Sequence, residues 1–214
     1  MRKTTKNFLK EPVSAEVLSS IGTFYSEIPA LFPGIETEIG ITENKAAGKL
    51  LNSLFAVQAP YYLSLYSENR DKCGMNAGYI CEQISLYLLT KGLGSCFCGN
   101  RPLRGMATTR GSKKLMAVMA FGKPREALTR RHTEAKRLPL NELCAMKDQP
   151  HPWMKQVLEA ARLAPSQANH QPWRFVIMGN RIHIFSKKQS AERLKKWEEF
   201  DFGMMFAHIM IASE

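Results

Sequence analysis

Residues 161–175 read ARLAPSQANHQPWRF, and they concentrate hydrogen-bonding groups in one short connection. The side chains of Ser166, Asn169 and Gln171 can each donate and accept. Pro165 and Pro172 restrict the backbone on either side, which lowers the entropy lost when such a loop is ordered. This set suits a planar heterocycle that alternates carbonyl and imide groups. It equally suits a turn that only holds itself together, and these residues alone leave both open. His170 has no evident role in either.

The opening RKTTKNF places Arg2, Lys3 and Lys6 beside the hydroxyls of Thr4 and Thr5. Cations with adjacent hydroxyl donors suit a phosphate, although a solvated terminus has the same composition. GLGSCFCG, residues 92–99, offers Gly92, Gly94 and Gly99 for close backbone approach to a ligand. It lacks the third glycine and the strand-before-helix setting of a dinucleotide fingerprint, which excludes a Rossmann assignment. Its Cys96 and Cys98 form C-x-C, readable as a metal or redox pair or as two small buried residues. Without a second pair at ligand spacing, a structural zinc site is not expected.

Other familiar chemistry lacks its signature. DFG at residues 201–203 stands without its kinase companions, and the spacing predicts a helix start there, with Asp201 near the N-terminus. No H-E-x-x-H or G-x-S-x-G occurs, and the five histidines are scattered. No metal site and no catalytic nucleophile, acid or base are therefore assigned.

The elements that must hold these residues follow from periodicity. Ser14 caps a predicted helix, Ile35 to Ile41 alternates as a strand, and YYLSLYS after Pro60 is a second. A helix is predicted from about Asp71 to Lys91, ending at Gly92. GLGSCFCG is predicted as a loop, KLMAVMAF (114–121) as a strand, and residues 123–150 as a basic connector. Then come a helix over Met154 to Leu163, strands WRFVI and RIHIF about a turn at 178–180, and a buried helix over Trp197 to Ser213. NAGYICEQISLYLL and FDFGMMFAHIMIAS align at Gly78 and Gly203, a faint internal repeat with Gln83 opposite His208. Glycine costs a helix about 1 kcal/mol, so two suggest close helix packing or a ligand against the backbone.

At 214 residues, 44% apolar and 23% charged, the chain is an ordinary folded protein of one large or two small domains. Its net charge of +11 is concentrated between Arg101 and Arg137, where eleven basic residues face only Glu126 and Glu134. Such a run favours a polyanion or a phosphorylated ligand. No basic-aromatic alternation or zinc-finger spacing supports nucleic acid, so a small phosphorylated cofactor is expected. Five cysteines, an odd number, point to reduced thiols in a cytoplasmic setting. The first residues lack the apolar stretch of a secretory leader, and no run approaches the ~18 apolar residues of a membrane span.

Taken together, these segments resemble the nitroreductase family of flavin-dependent oxidoreductases. AARLAPSQANHQPWRF is similar to that family's AAR-x-APS-x-x-N-x-QPW-x-F signature, and RKTTKNF to its R-x-S-x-[RK]-x-F opening. CEQISLYLLTKGLGSCFCG with VMAFGKP resembles its later helix, G-L-G-S-C loop and G-x-P strand end. EAKRLPLNEL resembles its K-R-x-P-L-x-E-L segment. The order is unusual: SSIGTFYSEIPALFPG stands where the signature belongs, and the signature follows the G-x-P strand. This resembles a small subclass in which two degenerate halves are fused in one chain.

The resemblance implies an α+β fold, a mixed β-sheet packed by helices, forming a pseudo-dimer within one polypeptide. Residues 1–150 would be the first half with its basic connector and 151–214 a partial second half. It implies flavin mononucleotide (FMN) between the halves. Arg2, Thr4 and Lys6 would serve its phosphate and edge, Lys136 or Arg137 would assist the phosphate, and backbone near Cys98 and Gly99 would face the flavin N5 region. Pro165, Ser166 and Asn169 would come from the second half. NAD(P)H would supply hydride and a nitro compound or quinone would receive it, the flavin carrying the chemistry. The alternative is a degenerate pseudo-dimer that binds flavin without turnover, as carrier, sensor or interaction module. Neither nucleic acid nor membrane is an expected partner, and the expected state is a monomer or weak homodimer.

Overall fold

The computed structural model describes residues 1–44, 57–103, 105–188 and 191–214; Arg104 of the basic run lies outside them. Helix α1 (Ala15–Glu27) starts as its sequence predicts, with Ser14 Oγ accepting from the Val17 N–H at 3.3 Å. Strand β1 (Thr37–Glu43) pairs antiparallel with β2 (Tyr61–Glu68), whose other edge pairs with β5 (Lys113–Gly122). β5 also carries β3 (Gly94–Phe97) and the two-residue β4 (Thr109–Arg110), giving the order β1-β2-β5-β3 with β4 on β5. Every pairing in this sheet is antiparallel.

A second sheet of three strands has the order β6-β7-β8 and is mixed. β7 (Trp173–Met178) and β8 (Arg181–Ser186) form the expected hairpin, with Gly179 at φ +56° in its turn. β6 (Cys144–Met146) runs parallel to β7. The basic connector is thus not structureless: it includes the short helix α3 (Leu140–Leu143) and supplies this edge strand. Helix α4 (Pro152–Leu163) precedes β7 and begins with proline at its first position, where no N–H is needed.

Helix α2 (Cys73–Thr90) stops where the sequence says it should. Gly92 takes φ +71°, its N–H bonds the Leu89 carbonyl at 3.1 Å, and the Leu93 N–H reaches back to Leu88 at 2.9 Å. That is a Schellman ending. Beyond it GLGSCFCG departs from the expected loop, because Gly94 to Phe97 is a strand on β5. Its glycines read locally as a turn, but VMAF of β5 offers a ladder the local rule does not see. Gly94 is needed there: a Cβ would sit 2.2 Å from Thr5 Oγ1.

The final helix α5 (Glu192–Ser213) begins earlier than its apolar run, since the preceding Glu, Leu and Lys residues are good helix formers. Asp201 is therefore in the helix interior and not at its start. α5 packs on α2 through the two repeat glycines, reciprocally. A Cβ at Gly78 would lie 2.1 Å from the Phe200 carbonyl oxygen, and one at Gly203 would lie 1.9 Å from that of Met75. Each glycine thus touches the residue three positions before the other. α5 also joins two cores, giving Phe200, Met204 and Ala207 to the side of the first sheet and Phe202 and Met205 to the second.

Candidate functional site

A cavity of about 220 Å³ opens where five segments meet. The N-terminal segment brings Arg2, Thr4 and Lys6, β3 and the residues after it bring Cys96, Phe97 and Gly99, and β5 brings Ala117. The 165–168 loop closes one side and α5 the other, with Trp197, Phe200, Asp201 and Met204. Those four stand at i, i+3, i+4 and i+7, one face of a helix.

The N-terminal segment is held by pairing, not left as a solvated end. Lys3 N–H bonds Leu128 O at 2.8 Å, Arg130 N–H bonds Met1 O at 3.0 Å and Thr5 N–H bonds Ser95 O at 3.0 Å. This fixes Arg2, whose side chain is only 8% exposed. Its Nε lies 3.6 Å from Oε1 of the buried Glu82, which also contacts His208 Nε2 at 3.0 Å. A buried guanidinium needs such a counter-charge. Even so, Arg2 Nη1 is buried with no hydrogen-bond partner among the described residues, as is Arg130 Nε. Burial, together with Arg130 and Arg2, pushes the Arg137 guanidinium down to about 10. A cluster of cations with unsatisfied donors is chemically suited to an anion.

The 165–172 loop spends its polar groups on its own backbone and on the neighbouring residues 136–138. Gln171 N–H donates to Ser166 Oγ at 2.9 Å, and Gln171 Oε1 accepts from Leu138 N–H at 2.8 Å. Asn169 Nδ2 donates to Lys136 O at 2.6 Å, and its Oδ1 accepts from Arg137 Nη1. Arg137 Nε also donates to Ala164 O at 3.1 Å. This clamp holds Ala168, Asn169 and Gln171 at φ of 50°, 57° and 51°, in the left-handed region that L-residues avoid. His170 Nε2 is buried without a hydrogen-bond partner among the described residues, and nothing in the structure explains it.

The cavity therefore brings together Arg2, Thr4, Lys6, Gly99, Pro165 and Ser166 of the anticipated residues. Lys136, Arg137 and Asn169 stand behind the loop as its clamp. Cys98 stands beside the wall, its N–H bonded to Val118 O at 2.8 Å. Among the described residues no His, Cys, Asp and Glu group could hold a metal, and all five cysteines are free thiols. Three cations of the basic run form ion pairs: Arg110 with Glu38, Lys113 with Glu36 and Lys123 with Glu11.

Removing the clamp should be costly. Arg137→Ala is expected to lower stability by about 2–3 kcal/mol, because carbonyls and the Asn169 amide lose a charged donor. Urea denaturation would check it, and Arg137→Lys should recover little, since an ammonium cannot make the forked contacts.

Asp201 is the cavity residue least anticipated. It is 3% exposed, its Oδ1 accepts the Gln167 N–H at 2.8 Å, and it makes no ion pair among the described residues. Burial pushes its carboxyl up to about 7, against the pull of that hydrogen bond and with a further push from Glu198. The thiol pair at the wall is also uneven: Cys96 is held below the usual thiol range by its contact with Cys98, then by Lys6 and Arg2, whereas Cys98 is pushed up.

The geometry just described coincides with a family-wide match. Residues 1–213 fit the model of the family described as "Putative TM nitroreductase". The chain belongs to the nitroreductase family. Among solved structures, it is similar to a "putative nitroreductase" from Thermotoga maritima at TM-score 0.67 and 22% identity, over 99% of this chain and 80% of that one. A nitroreductase family protein from Clostridium difficile 630 matches at TM-score 0.54 and 13% identity, over 69% and 95%. A "Putative NADH dehydrogenase/NAD(P)H nitroreductase" from Bacteroides thetaiotaomicron matches at TM-score 0.51 and 15% identity, over 63% and 89%. At these identities the likeness is one of fold. No curated protein matches the chain. The α+β nitroreductase-like fold expected from the sequence is the fold observed, and no helix among the described residues is long and apolar enough to cross a membrane.

Proposed function

We propose that this nitroreductase-family chain is an FMN-dependent oxidoreductase that uses NAD(P)H to reduce nitro compounds or quinones. The observation that carries this is the cavity itself, where Arg2, Thr4 and Lys6 of the N-terminal segment meet Phe97, Gly99 and the 165–168 loop. The residues present fit FMN. Arg2, Thr4 and Lys6 would hold its phosphate and edge, with Arg130 adding charge nearby. Phe97, Gly99, Pro165 and Ser166 would bound its ring. Bound flavin supplies reversible hydride chemistry. The chain's own work is to orient the ring, exclude water and fix the loop through Lys136, Arg137 and Asn169.

The site is read as one contact between two fused halves. The reciprocal packing of Gly78 and Gly203 supports this, because residue i touching j′ while j touches i′ is the pattern of a twofold interface. The proposed protein is a cytoplasmic internal pseudo-dimer acting on a small electron acceptor, as monomer or weak homodimer. In an anaerobic cuvette, NADH or NADPH should bleach the visible band of the FMN-loaded protein, and a nitroarene or quinone should restore it. Bound flavin that neither nicotinamide bleaches would instead select the carrier or sensor reading. Asn169→Ala should weaken FMN binding roughly tenfold, the ~1.4 kcal/mol of a lost clamp bond; unchanged affinity in a fluorescence titration would contradict the role given to this loop.

A further inference from the structure

One group at the cavity wall has no task in the proposed hydride chemistry. Asp201 is almost fully buried, lines the cavity, and has a single neutral hydrogen-bond donor among the described residues, the Gln167 N–H. A carboxylate can accept about four hydrogen bonds. Buried with one, and without an ion pair among the described residues, its charge is under-compensated.

The surrounding groups do not change that. Across the cavity stand Arg2 and Lys6 of the N-terminal segment and Cys96 of β3. Arg2 is engaged by Glu82 of α2, which also holds His208 of α5. From α4, Arg162 and Glu159 pair with each other at 2.8 Å. On α5 itself, Glu198 disfavours the Asp201 charge. On either side along the same helix face are Trp197, Phe200 and Met204, so the carboxyl is the polar exception in an apolar wall.

We propose that Asp201 is a specificity-determining residue of the cavity, holding a proton from solvent whenever an anionic ring compound is bound there. Above the carboxyl's transition such a ligand enters with uptake of one proton and loses affinity as Asp201 ionises; below it no proton is exchanged, and an uncharged ring of the same shape is indifferent throughout. The ligand class rests on the reading of the cavity as a flavin and acceptor site. The proton does not.

The chain contains only three aspartates, Asp71, Asp148 and Asp201, so ¹³C-carboxyl aspartate labelling isolates the group without any flavin. One of the three resonances should titrate near neutrality and be missing from Asp201→Asn, which keeps an oxygen for the Gln167 N–H. Three resonances that all titrate below pH 5 would overturn the proposal. With FMN-loaded protein, flavin difference spectra then report binding of 4-nitrobenzoate and of its neutral counterpart 4-nitrobenzamide. The dissociation constant of the anion should rise by roughly tenfold per pH unit above the transition, while that of the amide stays level, and Asp201→Asn should flatten both. An equal slope in Asp201→Asn would assign the effect elsewhere and overturn the proposal. If FMN does not load, the flavin reading fails, and the carboxyl resonance still decides the proton.

Discussion

Alanine at Gly203 is expected to destabilise the protein by about 2 kcal/mol or more, although alanine is the better helix former by about 1 kcal/mol. The added Cβ would stand 1.9 Å from the Met75 carbonyl oxygen and 2.7 Å from the Tyr79 nitrogen. Both are backbone atoms of α2, which no rotamer change can move aside. α2 and α5 must separate, and with them the buried Tyr79, Phe200 and Met204 that pack at the same seam. Overpacking of this kind costs about 1–3 kcal/mol and more where nothing yields. Gly22 on α1 is the control, because its Cβ would meet nothing within 4 Å. Gly22→Ala should therefore stabilise, by up to about 1 kcal/mol. Opposite signs in urea midpoints are the expected result, and a Gly203→Ala protein as stable as the native one would refute the close contact.

The second large effect is one of pH. The Asp201 carboxyl lies near 7 in the folded protein against 3.8 as a free side chain, raised chiefly by burial. A group raised on folding contributes stability that is present in full below its unfolded value and is lost as pH rises through its folded one. At roughly 1.4 kcal/mol per pH unit, the interval corresponds to about 4 kcal/mol, over half of it between pH 5 and 8. Asparagine does not titrate. The stability of Asp201→Asn relative to the native protein should therefore improve from pH 5 to about pH 7 and then level off by pH 8, by roughly 2–3 kcal/mol in urea titrations. A difference that stays flat across that range would mean the carboxyl is ionised throughout.

Much of this was legible in the sequence where the determinant was local. Ser14, Gly92 and the 178–180 turn announce their elements by side-chain chemistry or φ, and the structure places them accordingly. Arg2, Lys6, Pro165 and Ser166 stand out in the sequence because their types and spacing form a motif, and they line one cavity, whereas Lys3 pairs with Glu126. The repeat glycines were legible as a pair, though only the structure gives their reciprocity.

The rest depends on partners far away in sequence. β3 hides behind glycines because its ladder lies on β5, and β6 hides in a proline-marked connector because its partner β7 comes some thirty residues later. Asn169 and Gln171 were read toward a ligand because a loop's own backbone needs are invisible without its fold. Their partners are Lys136, Arg137 and Leu138, reached across the connector. The α5 face of Trp197, Phe200, Asp201 and Met204 did carry a helical spacing. The apolar run that begins after Asp201 reads as a helix start, which hides a carboxyl that the full helix buries.

The proposed flavin site lies between the N-terminal segment, the 165–168 loop and α5. Its most direct test is to saturate the purified protein with FMN, remove the excess by gel filtration, and record the visible spectrum beside the protein concentration. One FMN per chain, with its near-ultraviolet and blue bands shifted from those of free flavin and its binding weakened by Arg2→Ala, is the predicted result. FMN that elutes entirely free of the native protein would contradict it.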